Sequence, residues 1–164
     1  MRVAVTGTPG TGKTSATERL ESDFDVLHLN EVIERESLYT ERDEERDSLV
    51  VDMDALAEYV DGRSGTVESH LAHHLPADRV VVLRCEPTEL ERRLLERGES
   101  EAKAGENAES EELDLILSEA VAEHGLENVY EIDTTEREPE AVAREIECVI
   151  AGESEPSAGE VTFS

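Results

Sequence analysis

Lysine is nearly missing from this chain: its 164 residues include only two, Lys13 and Lys103, beside thirteen arginines. Cysteine is as scarce. Cys85 and Cys148 stand too far apart for a Cys-x-x-Cys pair, which excludes a zinc site built on paired cysteines and leaves no disulfide framework. No apolar run is long enough to span a bilayer, and the first residues lead straight into a strand-like segment, leaving no room for a secretory leader. These absences predict a soluble, cytoplasmic protein with no membrane partner. Acid is what abounds. Forty-two Asp and Glu give a formal net charge of -27, and they are spread from Glu18 to Glu160. Such a surface repels nucleic acid in dilute salt, so no direct, specific nucleic-acid binding is expected. The even spread fits a halophilic surface better than one acidic binding face, because at molar salt the Debye length falls to roughly 3 Å and self-repulsion is screened.

Against that background one motif stands out. Gly7-Thr8-Pro9-Gly10-Thr11-Gly12-Lys13-Thr14 follows the short apolar run Val3-Ala4-Val5 and leads into a helical segment. Strand, glycine-rich loop and helix in that order form a phosphate-binding P-loop. The glycines let the backbone curl so that successive amides face a phosphate. Lys13 suits the terminal phosphates and the Thr14 hydroxyl suits Mg²⁺. A nucleoside triphosphate with Mg²⁺ is the expected ligand.

Apolar runs alternate with helical patterns along the chain, as in a parallel α/β sheet. Strands are expected near Arg2–Thr6, Asp25–Leu29, Thr66–Glu68, Arg79–Arg84 and Asn128–Ile132. Helices fit Lys13–Glu21, Glu31–Leu38, Met53–Asp61, Pro87–Arg97, Ala108–His124 and Pro139–Ala151. Within Ala108–His124, Leu113, Ile116, Leu117, Ala120 and Val121 form one apolar stripe, and Gly125 follows as a stop. Two polar stretches fall outside this scheme. Tyr39–Leu49 and Gly98–Asn107 read as insertions able to close over a substrate, the second with Gly98 and Gly105 as hinges. The segment 152–164, rich in Gly, Ser, Pro and Glu, reads as a disordered acidic tail after a single domain of residues 1–151.

The elements of a GTPase switch are missing: no glycine has an aspartate three residues before it, and Asn-Lys never occurs. A small kinase fits better. Arg93 and Arg97 are four residues apart and share a helical face, and guanidinium forks match the charge of a migrating phosphoryl group. A magnesium-side carboxylate is expected at the end of an inner strand, either Glu68 after Thr66-Val67 or Asp52 after Leu49-Val50-Val51. His70, His73 and His74 share spacing suited to a metal, but no fourth ligand is evident in the sequence.

Taken together, these residues resemble the adenylate kinase isoenzyme six family of archaea and eukaryotes, the nuclear-type adenylate kinases, over about residues 1 to 150. The carriers are 6–14, Leu38-Tyr39 with Asp43-Glu44-Glu45, Val50-Val51-Asp52, Val67-Glu68-Ser69-His70, Val82-Leu83-Arg84, Arg93-Leu94-Leu95-Glu96-Arg97-Gly98, Glu101-x-Lys103 and Asn107. The resemblance implies a P-loop NTPase fold with a five-stranded parallel sheet flanked by helices, an NMP-binding insertion at 28–51 and a short lid at 96–106. It implies phosphoryl transfer from ATP to AMP or another NMP, some ATP hydrolysis, and a role in late small-subunit ribosome maturation through transient binding of a platform ribosomal protein. Carried over by residue, Gly10, Gly12, Lys13, Thr14 and Ser15 hold ATP and Arg97 contacts its phosphates. Arg35 is the candidate for a basic residue on the preceding helix. The family usually has Asp-x-His where this chain has Glu68-x-His70, and Gly-Cys where it has Leu71-Ala72. Two other readings compete with an NMP kinase: an ATP-switched assembly factor, and a shikimate or nucleoside kinase.

Overall fold

The structure is a computed structural model that describes residues 1–21, 25–43 and 48–163. Seven strands and seven helices are assigned among them: β1 (Arg2–Gly7), α1 (Lys13–Thr17), β2 (Val26–His28), α2 (Leu29–Arg35), β3 (Tyr39–Asp43), β4 (Ser48–Val51), α3 (Met53–Val60), β5 (Gly65–Glu68), β6 (Arg79–Arg84), α4 (Pro87–Glu96), α5 (Glu101–Glu112), α6 (Leu115–His124), β7 (Val129–Asp133) and α7 (Pro139–Ile150). Five strands form a parallel sheet in the order β2-β5-β1-β6-β7, and β3 with β4 form a separate antiparallel hairpin.

Alternating side chains send each strand's residues to two cores. Val3 and Val5 of β1, Val81 and Leu83 of β6, and Tyr130 and Ile132 of β7 pack with Ala16, Val142, Ile146 and Val149 from α1 and α7. On the other face Ala4, Val80, Val82 and Val129 meet Leu29, Ile33, Leu56, Val60, Leu117 and Ala120. The sheet is thus covered on both sides, as parallel sheets require. β1 and β5 are neighbours paired Val5 to Glu68, yet their outgoing connections lead to opposite sides, to β2 and to β6. A crevice forms at the carboxyl ends of strands that part in this way.

The fold departs from expectation in three places. Ala108–His124 is two helices, broken at Asp114, which takes a left-handed conformation with φ 55°. The cause is the fully buried Arg84, whose Nη2 donates to the Glu111 carbonyl at 3.2 Å and also to the Asp114 carboxylate. A guanidinium that takes a carbonyl in the last turn of one helix and the side chain beyond it stops that helix. Leu113 consequently leaves the apolar stripe and is 59% exposed. Secondly, the polar stretch 98–107 is largely helical. Ser100 caps α5 through Lys103 N at 3.1 Å, Gly98 is left-handed at φ 95°, and Gly105 lies within the helix and so is no hinge. Thirdly, the tail expected to lack order lies along the sheet-edge strand β7. Ser157 N donates to the Val129 carbonyl at 3.1 Å, Glu131 N donates to Ser157 Oγ at 2.9 Å, and the Phe163 ring lies over the Arg84 guanidinium. It supplies partners to a strand that, among the described residues, has no neighbouring strand on its outer edge. The insertion expected at 28–51 runs from His28, the last residue of β2, through α2 and the hairpin; Glu44 and Glu45 lie outside the described residues.

A third, smaller cluster of Cys85, Leu90, Leu94 and Ala104 joins β6, α4 and α5 beneath the P-loop. A side chain at Gly10 would collide with Leu90 and Leu94 at 2.8–3.0 Å, so these leucines are the floor on which the loop rests. Leu94→Ala should cost about 2–5 kcal/mol of stability by the cavity it opens. Denaturant unfolding of the purified variant in molar KCl measures this, with the midpoint moving down at an unchanged slope.

Candidate active site

The Gly7–Thr14 loop closes over the carboxyl end of β1 and is fastened from outside at several points. Thr11 Oγ1 donates to the Thr8 carbonyl at 2.8 Å, and Thr134 Oγ1 donates to the Thr11 carbonyl at 3.1 Å. Thr8 Oγ1 donates to Glu111 Oε1 at 3.2 Å, while Glu111 Oε2 accepts from Cys85 N at 2.8 Å and lies 3.2 Å from Arg84 Nε. Burial raises the Glu111 carboxyl above the usual carboxylate range, against the pull of Arg84 and these donors. A buried charge network therefore runs from Arg84 through α5 into the loop.

Gly10 and Gly12 have φ of 95° and 90°, a left-handed region that costs other residues energy. A side chain at Gly12 would meet no atom within 4 Å, so the space beside that residue is open cleft. Lys13 is buried, and its Nζ donates to the Thr8 carbonyl at 3.1 Å. Desolvation lowers its pKa to about 8, with Arg97 pushing the same way and Glu68 and Glu111 opposing. Thr14 Oγ1 donates to Glu68 Oε1 at 3.3 Å, and Glu68 Oε2 is held by His28 Nδ1 at 2.7 Å. A hydroxyl and a carboxylate on neighbouring elements are the hard oxygen donors that Mg²⁺ selects, so this pair fits the ion. Ser15 follows, exposed and on the cleft wall.

The loop opens into a cleft of about 1050 Å³. Its walls are the P-loop and Glu68, α2 with the hairpin residues Arg42, Leu49 and Val51, and Arg97 with α5. Both lysines of the chain, Lys13 and Lys103, line it. So does His70, whose pKa is lowered to about 4 by burial first and then by Lys13, His73 and His74, which keeps the imidazole neutral at ordinary pH.

Some expected residues are placed elsewhere. Arg93 is not among the described residues that line the cleft. Its guanidinium donates to the carbonyls of Gly10, Thr134 and Thr135 at 2.7–3.4 Å, so it ties the P-loop to the loop after β7 rather than facing the cleft beside Arg97. Asp52, the alternative magnesium-side acid, caps α3 by accepting from Ala55 N at 3.1 Å. Arg35 donates to the Tyr59 hydroxyl on the exterior. Conversely, sequence reasoning overlooked His28, Thr8 and Glu111. The available signal was Arg84 itself, a charge closing the apolar run Val80–Leu83, which demands buried carboxylate partners.

Because Lys13 titrates near pH 8, anion binding should weaken as pH rises through that value. A bound polyphosphate holds the ammonium protonated, so the complex carries more protons than the free chain above pH 8, and affinity falls by up to about tenfold per pH unit there. Calorimetry with inorganic triphosphate checks this, and Lys13→Met should remove the pH dependence along with most of the affinity.

The AAA domain family matches residues 3–114. A protein of Natronomonas pharaonis named "Putative adenylate kinase" is 64% identical over 165 residues, covering 100% of this chain and 98% of its own length. A protein of the same name from Halobacterium salinarum is 57% identical over 166 residues, with the same coverage, and one from Archaeoglobus fulgidus is 47% identical across 94% of this chain and 85% of its own length. Among solved structures, a shikimate kinase from Bacteroides thetaiotaomicron superposes with a TM-score of 0.60 at 17% identity, covering 92% of this chain and 98% of that one. A deoxyadenosine kinase from M. mycoides gives 0.56 at 13% identity, covering 92% and 100%. The distant structures share only the P-loop kinase fold, whereas the relatives from Natronomonas pharaonis and Halobacterium salinarum match over nearly their whole length. The chain belongs to the AAA domain family of P-loop proteins, in the group of archaeal relatives that carry the adenylate kinase name.

Proposed function

We propose that the protein transfers the terminal phosphoryl group of ATP to a nucleoside monophosphate, with AMP as the preferred acceptor. The observation that carries this reading is the cleft itself. It is lined both by the P-loop with Lys13 and by residues of α2 and the β3–β4 hairpin. At about 1050 Å³ it reaches the upper limit of sites that hold one small ligand, so there is room for a second nucleotide facing the first. The names of the archaeal relatives point the same way.

In this reading ATP lies on Gly10, Gly12, Lys13, Thr14 and Ser15. The segment 28–51 forms the acceptor site, and 96–106, from the end of α4 into α5, acts as the lid. Lys13 and Arg97 neutralise the migrating phosphoryl group, and Lys103 adds charge on the cleft wall. Thr14 and Glu68 would hold Mg²⁺, which when bound supplies charge neutralisation to the phosphate oxygens. His28 fixes the Glu68 carboxylate from behind. Arg93 acts indirectly by anchoring Gly10 and the loop at Thr134. No covalent intermediate is required, because positioning and preorganised charge do most of the work in phosphoryl transfer.

A second reading, ATP-switched assembly of the small ribosomal subunit through a platform ribosomal protein, draws support from His70 beside the phosphate end of the cleft and from the net charge of -27, which suits a basic partner. The two readings part in one assay. Purified protein in molar KCl with ATP and a panel of acceptors should form product fastest with AMP, while ATP alone should turn over slowly. Lys13→Met should lower the AMP-dependent rate by at least about a hundredfold. A shikimate or nucleoside acceptor outpacing AMP, or hydrolysis that AMP leaves unchanged, contradicts the proposal.

A further inference from the structure

Beyond the phosphate site, the turn after β5 carries two imidazoles whose partners come from a distant helix. His73 and His74 lie in the short 3-10 turn Ala72–His74. His73 is buried and fixed twice: its Nδ1 lies 2.7 Å from Thr6 Oγ1 of β1, and its carbonyl accepts from His124 Nε2 at 2.7 Å. Its Nε2 faces α6, 3.1 Å from Glu119 Oε1. His74 sets Nδ1 2.8 Å from Glu123 Oε2 and Nε2 4.0 Å from Glu119 Oε1. Glu119 and Glu123 are four residues apart and so share one face of α6. Ligand atoms of His73, His74 and Glu123 all lie within 4.8 Å of one another.

We infer that His73, His74 and Glu123, with Glu119 beside them, form a binding site for a divalent transition metal of the zinc class. Two imidazoles with carboxylate oxygens suit zinc, whereas the all-oxygen pair of Thr14 and Glu68 suits magnesium. Ligands at 2.0–2.2 Å from a tetrahedral ion stand about 3.3–3.6 Å apart, so the observed spacing needs only small side-chain movements. The Thr6 hydroxyl supplies the supporting contact such a site needs. It can donate to Nδ1 while Nε2–H points at Glu119, or rotate to accept from Nδ1–H and leave the Nε2 lone pair for a metal. Burial holds His73 below the usual imidazole range, which favours the neutral ring that a metal requires. His74 and Glu119 also line the nucleotide cleft, so an ion here would pin α6 to the turn that forms the cleft wall.

The test uses the full chain, freed of metal by chelator dialysis and kept in molar KCl. Calorimetric titration with Zn²⁺ should show one saturable site with micromolar or tighter affinity, and Co²⁺ should give the visible bands of nitrogen ligation. His74→Ala and Glu123→Gln should each weaken binding by at least about tenfold, the scale on which metal sites respond to lost partners. Zn²⁺ should raise the melting temperature of the parent chain more than that of either variant. Glu68→Gln, which alters the oxygen site, should leave Zn²⁺ uptake unchanged. Glu123 is largely exposed, so its variant should fold even where His74→Ala does not, with circular dichroism checking both. Absence of saturable uptake, uptake indifferent to Glu123→Gln, or uptake lost in Glu68→Gln overturns the inference.

Discussion

The buried guanidinium of Arg84 is the constraint on which the rest of this molecule depends. It is fully shielded from solvent at the end of β6 and meets three carboxylates, those of Glu111, Asp114 and Glu131. Burial alone would lower its pKa, but Glu111 and Asp114 outweigh that and keep it charged. Such a network is poor evidence of net stability, since desolvation offsets much of the attraction. Its value is geometric. One carboxylate reaches the P-loop through Thr8, the second breaks α5 from α6, and the third accepts the amides of Gly159 and Glu160 and so fastens the tail. Removing one partner of a buried pair costs about 3–5 kcal/mol because the other is left uncompensated. Here that loss would fall on the loop, α5 and the sheet edge together.

The cleft gathers both lysines of the chain and two of its arginines. Across a chain of net charge -27, Lys13, Arg42, Arg97 and Lys103 line one concavity. Outside it Arg92 is occupied by Glu89 and Glu96, whereas Arg2 and Arg79 donate to backbone carbonyls. Six glutamates, Glu31, Glu34, Glu68, Glu99, Glu106 and Glu119, line it too, and Glu99 lies 3.8–3.9 Å from Arg97 and Lys103, so the cations mark points of contact rather than a uniformly positive wall. Lys13 is held there at a desolvation cost that a bound phosphate relieves. The site is therefore poised toward its ligand.

How much of this was legible in the sequence follows the range of the interactions. The P-loop depends on contiguous residues, and strands buried on both faces read as apolar runs, so loop, sheet and most helices could be read directly. The Asp114 break could not, because its cause sits thirty residues away in Arg84. Arg93 and Arg97 share a helical face by spacing, yet the loop after β7 offers carbonyls that capture Arg93 alone. The tail's composition suggests disorder, but no local pattern reveals the exposed edge of β7 or the Glu131 carboxylate that receives it. His28 and Glu111 are single residues without a motif, given meaning only by what folding brings beside them.

The proposed transfer requires two nucleotides to face one another across a single cleft. Its most direct test is the binding of diadenosine pentaphosphate, in which two adenosines are joined by a chain of phosphates, measured by calorimetry in molar KCl. One molecule should bind per chain, more tightly than ATP or AMP alone, and either nucleotide should displace it. Affinity no greater than that of ATP, or displacement by ATP while AMP has no effect, would contradict the proposal.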